Sequence, residues 1–510
     1  MTAPAAATAG TEKLDRGVLK VAGVMVLGAI MSILDVTVVS VALPTFQKEF
    51  NASYATVAWT MTAYTLALAT VIPITGWAAD RFGTKRLYLL SLVLFVAGSA
   101  LCSVAWDIGP LIVFRALQGL GGGMLMPLGM TIMTRAAGPD RVGRVMAVLG
   151  IPMLLGPIGG PILGGWLIEA ATWHWIFLIN VPIGAVAFLL ALRVLPADRP
   201  QPSESFDFLG MLLLSPGLAL FLYGVSTIPE EGTVAATKVL LPGIAGLVLV
   251  IGFVLHAMRK DHPLIDLRLF ANRHLRVATV TLTLFTVAFM GAMLLLPSYF
   301  LQVRGETTLN AGLLLAPQGL GAMVTMPMAG RLTDRIGPGK LVLPGIVLIA
   351  LGMSAFTQVS GDTSYVLLLA ALFVSGLGMG MTMMPIMSAA LASLTHRQVA
   401  RGSTMMNIVS QTAGSIGTAV MSVILTNQVL DSPEATAYSA VTQGRIPADQ
   451  VPPAVLSQGP LSLADAFGST YLVAVVLLVL CLVPALFLPR TRIEKAAEDQ
   501  DAPPVPVAIH

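Results

Sequence analysis

Charged residues are rare in this chain. Asp, Glu, Lys and Arg make up 11% of its 510 residues, while 56% are hydrophobic. A soluble domain carries about 25% charged residues, so a soluble globular fold is excluded and an all-α polytopic membrane protein is expected. Cysteine is rarer still. Cys102 and Cys481 each lie in an apolar run, which excludes a disulfide framework, and no Cys/His spacing of a zinc site occurs. There is no Gly-x-x-x-x-Gly-Lys-Ser/Thr loop, so ATP is not the energy source. No hydrolase elbow stands with its partners, so an enzyme is not expected. Neither a metal, a cofactor nor a nucleic-acid partner is expected. The net charge of +3 says little until its distribution is known.

What the chain has in quantity is apolar runs, with 49 glycines and 33 prolines among them. Such a content is tolerated where neighbouring helices re-satisfy freed backbone groups. Fourteen runs, from 21–43 to 466–488, suit helices crossing ~30 Å of hydrocarbon. The first is too long for a signal-peptide core and is taken as retained. An even number puts both termini on one side. With the N-terminus inside, the loops and tails there hold 24 of the 29 Lys and Arg. The opposite loops hold four (Lys48, Lys238, Arg304 and Arg445), and Arg115 lies within a run. That bias follows the positive-inside rule. A plasma (inner) membrane protein with cytoplasmic termini is expected, monomeric in the bilayer.

The chain also repeats itself. Gly119-Leu-Gly-Gly-Gly-Met-Leu-Met in the fourth run matches Gly376-Leu-Gly-Met-Gly-Met-Thr-Met in the twelfth, and Arg141-Val-Gly-Arg144 matches Gln398-Val-Ala-Arg401 at the same offset. On two cytoplasmic turns, Gly76-Trp-Ala-Ala-Asp80-Arg81-Phe-Gly83 matches Gly330-Arg-Leu-Thr-Asp334-Arg335-Ile-Gly337. Two six-helix halves with two helices inserted between them are implied. The expected boundaries are a tail over 1–20, a bundle over 21–195, the inserted pair with its loops over 196–276, a second bundle over 277–488 and a tail over 489–510. Internal repeats of this kind mark transporters whose substrate site lies at mid-membrane between the halves.

One run contains a carboxylate, Asp35. A charge inside hydrocarbon costs roughly 2.5–3.5 kcal/mol on insertion scales and faces a protein interior or a wet cavity. Asp35 lies ~12 Å from the outer end of the first helix and Arg115 ~7 Å from that of the fourth, at 1.5 Å per residue. The two therefore share a depth. A proton-coupling pair and a static structural salt bridge are both open readings. Asp80 and Arg81, with Gly76, Gly83, Lys85 and Arg86 around them, form a charged turn suited to a conformational lock at the cytoplasmic side. Asp334 and Arg335 repeat it, but Pro338-Gly339 occupies the usual basic positions, so the second lock is expected to be weaker. A turn that only fixes topology is the alternative. Gly150, Pro152, Gly156, Pro157, Gly159, Gly160 and Pro161 stack along the fifth helix, where close approach and bending follow. Gln118, Met124, Gln318, Met381, Asn407 and Gln411 are candidates for the substrate cavity. Flexible thioethers suit varied apolar ligands, and Trp59, Tyr64 and Phe285 are further candidates.

These motifs resemble the major facilitator superfamily, specifically its fourteen-helix drug:proton antiporters of the EmrB/QacA type. Leu34-Asp35-Val-Thr-Val-Val-Ser40-Val-Ala-Leu-Pro44 is similar to that family's first-helix motif, with Ser where Asn is common. Gly76 to Arg86 is similar to the loop 2–3 motif, Leu111 to Gly119 to the fourth-helix motif and Gly150 to Pro161 to the fifth-helix antiporter motif. Trp173-His-Trp-Ile-Phe-Leu-Ile-Asn180-Val-Pro182 also fits. The resemblance implies a major facilitator fold of two six-helix bundles plus two inserted central helices, 14 transmembrane helices in all. It links the arginine to proton coupling and the fifth helix to the seal between the halves. The expected activity is proton-coupled multidrug efflux of lipophilic, often cationic, drug-like molecules by alternating access, driven by the proton motive force and conferring antibiotic resistance. A dedicated exporter of one endogenous amphiphile (a lipid, siderophore or antibiotic), a non-transporting membrane sensor, and a proton symporter for uptake remain the alternatives.

Overall fold

The computed structural model describes residues 15–52, 54–138, 141–197, 206–231, 233–395, 398–442, 447 and 450–491. The tails expected over 1–20 and 489–510 lie mostly outside them. The first half comprises α1 (Arg16–Glu49), α2 (Tyr54–Phe82), α3 (Thr84–Ser103), α4 (Ile108–Ala137), α5 (Val142–Ala170) and α6 (Trp175–Val194, interrupted at Ile179). The inserted pair is α7 (Phe208–Glu231) and α8 (Thr237–Arg259). The second half comprises α9 (Arg273–Gln302), α10 (Thr308–Ile336), α11 (Gly339–Gln358), α12 (Tyr365–Ala392, broken at Met381–Thr382), α13 (Val399–Leu430) and α14 (Pro453–Ala485). Thirteen helices among the described residues are long and apolar enough to cross a membrane. The 29-residue α5 completes the fourteen.

Local chemistry sets the helix ends. Asp107 accepts from Ile108 N at 2.7 Å at the start of α4, and Asn272 from His274 N at 2.9 Å at the start of α9. Each bond satisfies one of the orphan donors of a first turn. Gly83 and Gly337 close α2 and α10 with φ of 94° and 89°, values that L side chains rarely adopt. The turn repeated in the sequence is thus repeated in the backbone.

Glycine also carries the repeat into the packing. A Cβ on Gly119 of α4 would lie 2.4 Å from Tyr64 O of α2, and one on Gly376 of α12 would lie 2.0 Å from Gln318 O of α10. Gly98 on Gln118 and Gly352 on Ser375 form a second equivalent pair, so α3 corresponds to α11 as well. Backbone sits against backbone at these crossings, and no side chain can rotate to make room. We expect Gly376→Ala to lower the unfolding midpoint of the purified protein, since overpacking costs about 1–3 kcal/mol. Gly312→Ala on α10, where no atom lies within 4 Å of the new methyl, should be neutral or slightly stabilising. Equal midpoints for the two variants would remove this account of the crossing.

The inserted helices pack on each other through Gly217, Gly224 and Gly246. Among the described residues α7 makes the main contact of the pair with the bundles, lying against α2 on one side and α13 on the other. Trp59 of α2 stacks on Tyr223 of α7 (5.6 Å), and Trp77 of α2 packs on Phe206 (4.4 Å) just before α7 begins. Asp207, fully buried at that foot, accepts from His256 Nε2 (2.8 Å), Gly210 N (3.0 Å) and Leu264 N (3.1 Å). Burial pushes its carboxyl up, but those hydrogen bonds outweigh it and hold the group below the usual carboxylate range.

Candidate functional site

The depth match between α1 and α4 becomes a contact. Arg115 Nη1 donates to Asp35 Oδ2 at 2.5 Å, with both side chains all but inaccessible to solvent. Five further residues surround the pair. Gln118, one turn beyond Arg115, donates through Nε2 to Asp35 Oδ1 at 2.8 Å and accepts from Arg115 Nη1 at 2.8 Å. Asn180 follows the interruption of α6 and donates to Asp35 Oδ1 at 3.2 Å and to Ser99 Oγ at 3.1 Å. Arg115 Nε donates to Thr60 O at 3.1 Å, and its guanidinium lies 4.3 Å from the Tyr64 ring centroid. Among the described residues, the hydrogen-bond neighbours of the carboxylate (Arg115, Gln118 and Asn180) are all donors, so an arriving proton has to displace one of them. A buried ion pair holds only when its remaining groups are bonded in this way. The second half has Leu372 where the repeat puts Arg115.

Gln118 therefore departs from the sequence expectation: it belongs to the ion pair and not to an open substrate cavity. Gln318 is also buried, within 3.4 Å of Ser375 Oγ inside the second half. Met124 is buried, and Met381 sits partly exposed at the break in α12. Asn407 donates to Ser403 O at 2.9 Å and reaches Met130 Sδ of α4 at 3.1 Å, whereas Gln411, one turn on, is exposed. Of the polar candidates, Gln411 is exposed and Asn407 half-buried, while Gln118 and Gln318 are buried.

The locks cross between halves in a symmetric pattern. Asp334 of α10 accepts from Gly143 N of α5 at 2.8 Å and lies 3.3 Å from Arg144 Nε. Asp80 of α2 lies 4.0 Å from Arg401 Nε of α13 and accepts from Arg135 of its own half at 3.1 Å. The repeat had already paired Asp80 with Asp334 and Arg144 with Arg401, so the cross-half partners were readable as an exchange between repeats. Close glycines seat both contacts: a Cβ on Gly76 would meet Arg401 Cα at 3.4 Å, and one on Gly330 would meet Gly143 O at 2.9 Å. The expected ranking is reversed, because Asp334 has the tighter and more buried cross-half contact. Its partners Gly143 and Arg144 come from α5, so this contact does not depend on the missing basic positions. Lys85 also differs from expectation. It donates to Leu192 O and Leu195 O, both at 2.8 Å, and so caps α6 within one half, as a cation at a helix C-terminus does. Arg81, Arg86 and Arg335 are exposed.

The fifth-helix motif divides its work. Gly150 lets Met326 and Met384 of the second half approach, while Gly156 and Gly160 let in Ile33 and Thr37, which flank Asp35 on α1. Pro152 is buried and Gly159 is half-buried; Pro157 and Pro161 lie in the helix, but their side chains are outside the described residues. All the cross-half contacts named here lie toward the lock end, which is closed.

Residues 25–418 match the Major Facilitator Superfamily. Among curated relatives, "Multidrug resistance protein B homolog" of Mycobacterium tuberculosis is 50% identical over 498 residues, spanning 94% of this chain and 92% of the relative. "Multidrug export protein EmrB" of Haemophilus influenzae is 30% identical over 450 residues, 88% and 87% of the two chains. Among solved structures, the human organic anion transporter MFSD10 (TETRAN) superposes with a TM-score of 0.60 at 16% identity, covering 90% of this chain and 99% of that one. At that identity the likeness is one of fold.

Proposed function

The chain belongs to the Major Facilitator Superfamily and is a multi-pass membrane transporter, and from that premise we propose that it exports lipophilic, often cationic, drug-like molecules in exchange for protons. The observation that carries this reading is the buried Asp35–Arg115 pair, built into one half only and fixed by Gln118 and Asn180. The pair is out of reach of water in this conformation, and a carrier must be so on at least one side at any moment. Rocking about the locks would expose it in turn to each side. The names of the relatives, a multidrug resistance protein homolog and a multidrug export protein, favour efflux of many compounds. In this reading the termini and locks are cytoplasmic, in the plasma membrane, and the protein works without a cofactor. One proton moving down ~100 mV supplies about 2.3 kcal/mol, equivalent to roughly a 50-fold concentration gradient.

Everted membrane vesicles test this. A panel of lipophilic cations and neutral antibiotics is added to vesicles with an acid lumen while a pH dye is followed. Several chemically unrelated compounds should dissipate the gradient and accumulate inside. A response to a single amphiphile would replace multidrug export by a dedicated exporter, and accumulation indifferent to the gradient would remove proton coupling.

A further inference from the structure

We propose that the foot of α8 binds the headgroup of an anionic phospholipid in the leaflet at the lock end. An open cavity of about 410 Å³ lies there, lined by His256, Arg259, Lys260, Asp261 and His262. Arg268 joins it, donating to Lys260 O at 3.2 Å and Asp261 O at 3.4 Å. Three permanent cations thus gather around one exposed carboxylate, Asp261. Two other acids lie nearby: Asp207, buried beneath and bonded to His256 and two backbone amides with Lys260 Nζ 3.5 Å away, and Asp266, which accepts from Arg268 N at 3.0 Å.

The apolar surface leading to this cavity identifies the ligand as a lipid and not a free anion. Leu241, Ile244, Val248, Ile251, Leu255 and Met258 are all exposed, and their spacing of three and four residues draws one stripe along α8. The stripe runs ~26 Å at 1.5 Å per residue, close to the thickness of a hydrocarbon core, and ends beside Arg259. An acyl chain following it delivers its phosphate to the cations, the arrangement by which basic pockets beside membrane helices hold acidic headgroups. The site has an outlet to the transport machinery. Asp207 adjoins Phe206, which packs on Trp77, three residues from the lock carboxylate Asp80.

The test uses the purified full chain in a non-ionic detergent. Dioleoyl phosphatidylglycerol should raise the unfolding midpoint by several degrees, and dioleoyl phosphatidylcholine, with the same chains, should not. Each cation near a membrane surface is worth about fivefold in affinity for acidic lipid. Arg259→Gln should therefore weaken phosphatidylglycerol binding about fivefold, and Arg259→Gln with Lys260→Gln roughly thirtyfold. Because Lys260 lies 3.5 Å from Asp207, the exposed single variant supplies the answer if the double variant does not fold. Arg193→Gln, which removes an exposed cation at the foot of α6, should leave binding unchanged. Equal stabilisation by phosphatidylcholine, an equal shift from inorganic phosphate, or unaltered binding by Arg259→Gln would each overturn the assignment.

Discussion

Vesicles carrying Asp35→Asn should lose concentrative uptake altogether, the accumulation ratio falling from roughly 50-fold per 100 mV to unity. Asparagine keeps the size of the side chain and an acceptor for Arg115 but cannot carry a proton. Substrate-induced proton release from the purified protein should disappear with it. A loss of fold would imitate this result, because removing one partner of a buried pair costs about 3–5 kcal/mol. Arg115 would keep Thr60 O and Gln118 Oε1 but have no counter-charge. Asp35→Asn combined with Arg115→Met separates the explanations. Replacing both charges by groups of similar volume is often neutral for stability, so that protein should fold and still not couple transport to protons. Asp35→Glu should retain part of the activity with an altered pH profile, since the carboxyl survives about one bond further out. Stoichiometric proton release by Asp35→Asn would move the carrier elsewhere. Glu169 and Asp465 are the next carboxyls to test, although both are exposed in this conformation.

Much of this was legible before any coordinates. Hydropathy and the distribution of Lys and Arg give fourteen helices, and two offsets in the glycine and arginine matches give the halves. What periodicity could not reveal is what lies across large gaps in the chain. Asn180 reaches Asp35 over 145 positions, and it does so because α6 is interrupted at Ile179, where Pro182 has no amide to give to Leu178 O, a break whose consequence for Asp35 no local pattern reveals. Gln118 shares the face of α4 with Arg115, and i,i+3 spacing was the available signal for placing it with the charges and not with the cavity. Lys85 was grouped with the lock because it follows Asp80 in sequence. The ends of α3 and α6 lie together, and the unpaired carbonyls of α6 claim it.

The second experiment with a large expected effect concerns the lock that the sequence undervalued. Asp334 has a side chain only 5% exposed and two contacts across the halves, whereas Asp80 is 24% exposed and pairs at 3.1 Å with Arg135 of its own half. Asp334→Asn leaves an oxygen for Gly143 N but deletes the charge facing Arg144. Exchanging a charge-assisted bond for a neutral one inside a partly buried contact costs about 2 kcal/mol, which shifts the ratio of closed to open lock roughly thirtyfold. For Asp80→Asn, solvent screening and a 4.0 Å separation from Arg401 confine the loss to about 0–1 kcal/mol. Substrate binding should survive both changes, since neither carboxylate faces the space between the bundles at mid-membrane. Turnover should fall about tenfold with Asp334→Asn and far less with Asp80→Asn. The lock can be read directly by labelling Ala147→Cys, whose position is packed against Gly330, with a polar maleimide. Both native cysteines are buried, so their background is low. Labelling should accelerate strongly with Asp334→Asn and slightly with Asp80→Asn. Gly143→Ala should resemble Asp334→Asn, because its methyl would lie 2.7 Å from both Asp334 Oδ1 and Gly330 O. Faster labelling with Asp80→Asn than with Asp334→Asn would restore the ranking read from the sequence.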